Sequence, residues 1–371
     1  MPTKNVRIRR SDPHVGRRGF LQASVGAASL LAIDGMSLHG QESKTKSVNS
    51  ATLQRVNVKT KLDLSRGCPP EIRAALTGPW PSIRTPFKQD GQIDFDSLYS
   101  LLSFLIEQAK VKAVVLTWGD SLFSSLTDDD IAQLTKAVVR HVDRRVFVVA
   151  ATGQWWTGKS VEFAKYCVDI GADMLMTLPP DWAGSTTHES LVTHYRAVGE
   201  QIPVMVVTNF LIARGIDFGV ELMRRLRDEV PAVIALKDDF LGEFIRKTCL
   251  LTHDRWALSA GGAKQNHLNM LPFGADGYLS TFINFRPDIA WRYWNAVSMG
   301  DMPNATRVIR DFDFPLFDYM RKSEGGFDAV MHGIYEAFGL TKRWRRVPYH
   351  SLSDKQMESL TEFLRQTKIL S

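Results

Sequence analysis

The sequence has little cysteine and none of the spacings that paired or metal-bound cysteines adopt. Its 371 residues include three cysteines, Cys68, Cys167 and Cys249, which are scattered along the chain. A disulfide framework and a cysteine zinc site are therefore not expected. His188 and His194 also lack ligand spacing on one helical face, so no metal is predicted.

A strong charge of either sign is also missing once the N-terminus is set aside. The formal net charge is +6, and the first 40 residues hold six basic and two acidic residues, which leaves +2 for the rest. One basic cluster remains at residues 342–346, Lys-Arg-Trp-Arg-Arg. It could contact nucleic acid, with the tryptophan stacking on a base, or form a solvated turn between two helices. The near-neutral balance favours the turn, and no nucleic-acid partner is expected.

The first 40 residues have the order of an export signal. Residues 17–21, Arg-Arg-Gly-Phe-Leu, precede a mild apolar run over 23–33. This order resembles a twin-arginine signal, which predicts export to the periplasm or the outer surface of a bacterial-type cell. The run is too short to be a permanent membrane anchor. A basic tail followed by a short amphipathic helix, with a cytoplasmic location, is the alternative.

A polar linker is predicted over residues 41–76, and beyond it short apolar runs alternate with amphipathic stretches of helical period. This alternation indicates βα units rather than hairpins. Strands are predicted at Trp80–Pro86, Ala113–Trp118, Val146–Thr152, Met174–Leu178, Val204–Asn209, Val233–Lys237, Trp256–Ala260 and Gly277–Thr281.

Eight such units predict an α/β fold, a closed (β/α)₈ TIM barrel over residues 77–300. The helices between strands include Asp94–Ala109 and Asp128–Val142, the second with Thr127 as its N-cap. A doubly wound open sheet is the alternative, but it would usually carry a glycine-rich phosphate loop after its first strand. This chain has Thr-Pro-Phe there, at residues 85–87.

Three extra helices are predicted after the barrel, in a C-terminal appendage over residues 301–371. Their expected bounds are Pro303–Arg321, Phe327–Phe338 and Ser353–Thr367.

Five short segments carry a resemblance to a known enzyme family. They are 78–87 (Gly-Pro-Trp-Pro-Ser-Ile-Arg-Thr-Pro-Phe), 170–173 (Ile-Gly-Ala-Asp), 178–180 (Leu-Pro-Pro), 234–238 (Ile-Ala-Leu-Lys-Asp) and 274–280 (Gly-Ala-Asp-Gly-Tyr-Leu-Ser). In this order and spacing the chain from residue 77 resembles the dihydrodipicolinate synthase and N-acetylneuraminate lyase superfamily. The resemblance implies a barrel with three added helices that forms a homo-oligomer, a tetramer or a dimer, and needs no metal or organic cofactor.

The resemblance makes Lys237 the lysine that forms an imine with a 2-oxo acid, usually pyruvate. A lysine that closes an apolar strand points its amine toward the C-terminal mouth of the barrel, where such folds place their sites. Desolvation there would favour a neutral amine able to attack a ketone. The resulting iminium would accept electrons from a neighbouring bond. A strand-end lysine paired with Asp238 or Asp239 is the alternative.

One departure from the family pattern follows the second strand. Where the family has Gly-Thr-Thr-Gly-Glu, residues 118–122 are Trp-Gly-Asp-Ser-Leu, so both threonines that would contact the substrate carboxylate and relay a proton are absent. Asp120 would repel a carboxylate in a partly desolvated pocket, whereas Ser121 offers a hydroxyl. Asp120 and Ser121 are expected to reach the ligand pocket and to shift preference away from simple pyruvate. Trp118 and Asp120 could instead recognise a hydroxylated or cationic substrate.

A second departure concerns the family's proton-shuttling tyrosine on the fifth strand. An alignment offers Val207 or Thr208 in its place, and Thr208 is the candidate catalytic residue. Because a hydroxyl of this kind is a weak acid, it would need a water or another residue to complete the transfer. Tyr278 is the alternative, although its position favours an outward or structural role.

Asn209, Arg214 and Leu279 complete the substrate-binding residues that the resemblance implies. Arg214 lies near the family's arginine that assists carboxylate binding at the entrance, or it is a surface arginine. Trp155 and Trp156 follow the third strand and could cover a sugar face, although packing under a loop is favoured.

The sequence thus predicts an exported Schiff-base lyase, synthase or dehydratase that acts on a pyruvate-like or sugar-derived 2-oxo acid. A catalytically weakened barrel that binds a small acid or sugar, as a sensor or carrier, is the alternative. The missing tyrosine and threonines favour the binding protein, and the retained lysine favours the enzyme. Lysine-biosynthetic synthase activity is not expected, because export would separate the enzyme from its cytosolic aldehyde substrate.

Overall fold

The computed structural model describes residues 62–370; the predicted export signal and the linker up to residue 61 lie outside that range. Each predicted strand has a counterpart, although the first strand begins earlier than predicted and shares only Trp80 with the predicted range, and the bounds of most others differ by one to three residues. The strands are β1 Gly78–Trp80, β2 Ala113–Val115, β3 Phe147–Gln154, β4 Met174–Leu178, β5 Val204–Val207, β6 Val233–Asp238, β7 Ala257–Ala260 and β8 Gly277–Leu279.

The eight strands form one parallel sheet in the order β1-β8-β7-β6-β5-β4-β3-β2. A parallel bridge between Ser82 and Val115 brings the ends of the sheet together just beyond β1. The predicted TIM barrel is therefore confirmed, and the open doubly wound sheet is wrong. All eight strands are buried along nearly their whole length, as expected for a sheet whose outer face is covered by helices.

Helices connect successive strands and cover the outside of the barrel. They are α1 Pro70–Ala75 before β1, then α2 Phe95–Ser103, α3 Asp128–Val142, α4 Thr157–Ile170, α5 His188–Gly199, α6 Ile216–Glu229, α7 Gly242–Thr252, α8 Lys264–Met270 and α9 Pro287–Ser298. The predicted bounds of α3 are confirmed because Thr127 and Asp130 form a reciprocal capping box at its start. A π-helical turn, Phe104–Gln108, extends α2.

The C-terminal appendage contains the three predicted helical stretches. The first consists of α10 Met302–Val308, a π-helical turn Ile309–Asp313 and α11 Phe314–Lys322. The others are α12 Gly326–Ala337 and α13 Asp354–Gln366, the latter started by a capping box of Ser353 and Gln356.

The predicted linker needs a correction at its C-terminal end. Residues 70–75 form α1, whose Ile72 is buried in the core. Arg73 forms a salt bridge with Asp276 at 2.8 Å, and Gly67 lies so close to the backbone of Arg255 that a Cβ would be 2.5 Å from its carbonyl oxygen. The packed part of the chain therefore begins before residue 77.

The basic cluster at 342–346 is not a solvated turn, because its arginines are engaged in ion pairs. Arg343 pairs with Glu336, Arg345 with Asp328 and Arg346 with Asp130. These contacts fasten the segment to α12 and α3.

Within residues 62–370, no helix is long and apolar enough to cross a membrane.

Candidate active site

Lys237 lies at the C-terminal end of β6, at the mouth of the barrel. The preceding residues of the strand are apolar and buried, and the lysine side chain is itself only 9% exposed. Its amine donates to both carboxylate oxygens of Asp239, at 2.6 and 2.7 Å. The structure therefore places the amine where a barrel site is expected and pairs it with a carboxylate, as the alternative interpretation anticipated.

The turn after Lys237 is held by Asp238. Its carboxylate accepts from the Thr208 hydroxyl at 2.8 Å and from the backbone N–H groups of Phe240 and Leu241 at 3.1 and 2.9 Å. Burial raises the pKa of this carboxyl to about 6, against those hydrogen bonds, which favour its ionised form. Asp238 therefore fixes the geometry of the turn, whereas the amine bonds to Asp239.

The Thr208 hydroxyl is fully engaged in internal hydrogen bonds and cannot transfer protons to a substrate. It donates to Asp238 and accepts from the backbone N–H of Asp239 at 2.9 Å, and the residue is fully buried. The predicted catalytic role for Thr208 therefore needs correction, because this side chain positions the turn that carries Asp239. The neighbouring Asn209 is exposed at the start of the loop after β5.

Asp120 lies across the mouth from Lys237, because β2 and β6 are four strands apart in either direction around the barrel. It accepts from the Arg84 guanidinium at 3.0 Å. Arg84 is 2% exposed and also approaches Asp328 of α12 at 3.7 Å. Although burial opposes its charged form, Asp120 holds the pKa of Arg84 above its usual range. Pairing with Arg84 therefore reduces the repulsion that Asp120 would exert on a substrate carboxylate.

Ser121 is a structural residue. It is fully buried, its hydroxyl donates to the Ile83 carbonyl at 2.6 Å, and it accepts from the Thr117 N–H at 3.1 Å. The prediction that this hydroxyl contacts a substrate therefore needs correction. Its hydrogen bond to Ile83 joins the loop after β2 to the segment that follows β1.

Arg214 is tied down in the loop after β5. Its guanidinium donates to Asp181 at 2.7 Å and to the Thr186 carbonyl at 3.0 Å, and it stacks on the Phe218 ring at 3.8 Å. The structure thus gives Arg214 a role in joining two loops of the mouth. Leu279 ends β8, where it is 7% exposed and paired in register with Trp80.

The remaining aromatic candidates divide into packed and exposed residues. Tyr278 is fully buried and its hydroxyl donates to Ala290 of α9 at 3.4 Å, the outward structural role that was favoured. Trp155 packs edge-on against Phe163. Trp156, after β3, is 70% exposed.

Among residues 62–370, no group of three or more His, Cys, Asp or Glu side chains could hold a metal ion.

Comparison with known proteins identifies the family. The sequence model of the Dihydrodipicolinate synthetase family matches residues 75–367. The chain belongs to this family. It is similar to the 4-hydroxy-tetrahydrodipicolinate synthase of Dechloromonas aromatica, with 26% identity over 302 residues that cover 80% of this chain and 100% of that protein.

Solved structures show the same fold at lower identity. Dihydrodipicolinate synthase from Oceanobacillus iheyensis has a TM-score of 0.71 at 21% identity, covering 81% of this chain and 99% of that one. N-acetylneuraminate lyase from Mycoplasma synoviae has a TM-score of 0.67 at 18% identity, covering 79% and 98%.

Two polar residues at the mouth of this dihydrodipicolinate synthetase family member were not singled out by sequence patterns. The sequence predicts Asp239 only as a possible ion-pair partner of Lys237, although a second aspartate directly after Lys237-Asp238 is a visible signal. Arg84 is one residue of the matching 78–87 segment. A buried cation between Ile83 and Thr85 was the signal, since charge at a strand end implies a partner.

Proposed function

We propose that this protein is a Schiff-base-forming, aldolase-type lyase, synthase or dehydratase that acts on a 2-oxo acid. The observation that carries the proposal is the position of Lys237, an amine shielded from solvent at the end of β6 in a chain whose family match covers residues 75–367.

The proposed chemistry needs a nucleophilic amine and a route for protons. Attack of the Lys237 amine on the 2-oxo carbon, followed by loss of water, would give an iminium that withdraws electrons from an adjacent bond. The buried surroundings strengthen electrostatic interactions with the developing charges. No organic cofactor is part of the proposed reaction.

The mouth suggests a substrate larger than pyruvate. Trp156 and Trp182, in the loops that follow the neighbouring strands β3 and β4, are 70% and 87% exposed. Exposed aromatic rings beside a barrel mouth suit the apolar face of a sugar. We therefore include sugar-derived 2-oxo acids among the proposed substrates.

Borohydride trapping tests this function directly. The purified protein is incubated with pyruvate and a panel of sugar-derived 2-oxo acids, reduced with borohydride, and analysed by intact mass and peptide mapping. A mass increase that equals the reduced adduct and maps to Lys237 is expected with at least one acid.

Two lysine variants make the trapping experiment specific. Lys237→Ala should abolish the adduct, whereas Lys247→Ala, which removes an exposed amine from α7, should leave it unchanged. If the wild-type protein forms no adduct, or the adduct maps to a different lysine, the Schiff-base mechanism is wrong.

The alternative function is ligand binding without turnover. It is favoured by one observation, namely that the hydroxyls of Thr208 and Ser121 are both committed to internal hydrogen bonds. A protein of this kind would bind a small acid or sugar, measurable by calorimetry, without a covalent adduct. The same acid panel therefore separates the two functions.

We further propose that the protein is exported in the folded state and forms a homo-oligomer. The arginine pair at residues 17–18 before the short apolar run supports export. Replacing both arginines by lysine should retain the protein in the cytoplasm, and unchanged export of that variant would rule out the twin-arginine interpretation. Sedimentation velocity on the purified protein distinguishes a tetramer or a dimer from a monomer.

A further inference from the structure

The carboxylate of Asp239 is placed at the reactive amine. Both of its oxygens lie within 2.7 Å of the Lys237 Nζ atom, and its side chain is 28% exposed. Within the described residues, no other side chain donates to that carboxylate. Asp239 can therefore exchange protons with the amine on one side and with a ligand or solvent on the other.

The surrounding backbone is arranged so that Asp239 reaches the amine. A Cβ on Gly261 would lie 2.0 Å from an Asp239 carboxylate oxygen and 2.6 Å from the Asp238 carbonyl oxygen, so only glycine leaves room for the carboxylate there. Leu241, two residues on, has φ 68° and ψ −171°, a region that is almost restricted to glycine. A crowded and strained turn thus fixes the position of Asp239.

Neighbouring hydroxyls cannot act as the base. Thr208 is committed to Asp238 and to the Asp239 N–H. Ser259, which flanks Lys237 on β7, is fully buried and accepts from the Trp80 indole at 3.3 Å. Val207, the flanking residue on β5, has no polar side-chain atom. A neutral hydroxyl is also a far weaker base than a carboxylate near neutral pH.

We infer that Asp239 is the catalytic residue that transfers protons during imine formation at Lys237, an inference that rests on the proposed Schiff-base function. Asp239 first removes a proton from the Lys237 ammonium, and the nitrogen lone pair forms a bond to the 2-oxo carbon. The proton passes to the new oxyanion. Asp239 then takes a second proton from the nitrogen and gives it to the hydroxyl, which leaves as water. The sum is an ammonium and a ketone converted to a protonated imine and water.

The test measures the rate of adduct formation with pyruvate, or with another 2-oxo acid from the panel if that traps better, in cyanoborohydride. Asp239→Ala should slow the reaction at Lys237 by about 100-fold or more, the usual size of a lost general acid–base group. Formate added to Asp239→Ala should restore part of the rate in proportion to its concentration, since it can occupy the vacated space. Asp239→Glu, which keeps a carboxylate, should form the adduct faster than Asp239→Ala. Asp254→Asn, an exposed carboxylate before β7 at the opposite end of the barrel, serves as the control that leaves the rate unchanged.

The possible outcomes are distinct. A slow Asp239→Ala variant that formate rescues, with wild-type thermal unfolding, supports the inference. Wild-type adduct at Lys237 together with an unchanged rate in Asp239→Ala, or a slow rate that formate does not raise, overturns the inference and leaves the proposed function standing. Absence of any wild-type adduct overturns both.

Discussion

Two lysine–aspartate pairs on the mouth side of the barrel have the same chemistry and different surroundings. Lys237 and Asp239 are two residues apart, and their closest atoms are 2.6 Å apart. Lys264, the first residue of α8, meets Asp313 in the appendage at 2.5 Å across a separation of 49 residues. Side-chain exposure is 9% and 28% in the first pair, and 2% and 1% in the second.

The buried pair behaves as a cross-link. Burial lowers the pKa of Lys264 and raises that of Asp313, although each partner favours the charged form of the other. The ammonium also lies 4.1 Å from the Phe282 ring centroid, beyond β8. The contact thus joins the barrel to the C-terminal helices in an environment closed to solvent.

The Lys237 pair is local and partly open to solvent. Because its two residues are on one turn, the contact fastens no distant element to the barrel. A ligand could therefore separate the pair without disturbing the fold. The nitrogen–oxygen distances of the two pairs are nearly the same. What distinguishes the structural lysine from the candidate reactive one is the deeper burial of its pair and the long sequence separation between the two partners.

The largest expected effect is on the buried pair. Lys264→Met should lower the free energy of unfolding by about 3–5 kcal/mol, because it leaves an unpaired carboxylate at Asp313 in the interior. Urea denaturation measures the loss. The double variant Lys264→Met/Asp313→Leu should regain much of it, since both charges are then gone; a loss below about 1 kcal/mol in the single variant would contradict the cross-link.

The second expected effect concerns the turn beside Lys237. Thr208→Val should lower the free energy of unfolding by about 1–3 kcal/mol. The Asp239 N–H would lose its hydrogen-bond acceptor, and one Asp238 oxygen would keep only the Phe240 N–H as a partner. Borohydride adducts at Lys237 should still form, since the Thr208 hydroxyl proton is donated to Asp238 and is not available for transfer. Unchanged urea denaturation would show that these hydrogen bonds do not hold the turn.

Much of the fold, and less of the site, could be predicted from this sequence. Apolar runs at strand spacing and a capping residue such as Thr127 determine local structure directly, so the sequence alone predicts strands and helices. The partners of Asp120 and Ser121 could not be found in that way. Those partners are Arg84, which donates to Asp120, and Ile83, which accepts from Ser121. Both lie just beyond β1, and these residues, far apart in sequence, meet only after the barrel closes.

A smaller effect should come from pH. The folded-state pKa of Asp238, about 6, lies above the ordinary aspartate value of 3.8 because the carboxyl is buried. The stability contributed by the protonated carboxyl is therefore fully present below the unfolded-state pKa and is lost as pH rises through about 6. The difference in free energy of unfolding between wild type and Asp238→Asn should change by about 1–2 kcal/mol between pH 4 and pH 7, in the direction that favours the variant at pH 7. Urea denaturation of both proteins at each pH makes the measurement. The same difference in free energy of unfolding at pH 4 and pH 7 would contradict the raised pKa.

The smallest expected effect on stability, and the one that completes the comparison, is at Lys237. Lys237→Met keeps an unbranched side chain of similar length at the end of β6, so packing is retained. Asp239 is 28% exposed and can be hydrated once its partner is gone, unlike Asp313. Because ion pairs with access to solvent contribute little, the free energy of unfolding should change by less than about 1 kcal/mol. Urea denaturation of the wild type, Lys237→Met and Lys264→Met under the same conditions compares the two losses. A loss as large as that of Lys264→Met would place Lys237 among the structural lysines, and the partial exposure of its pair would then no longer distinguish a candidate reactive amine from a cross-link.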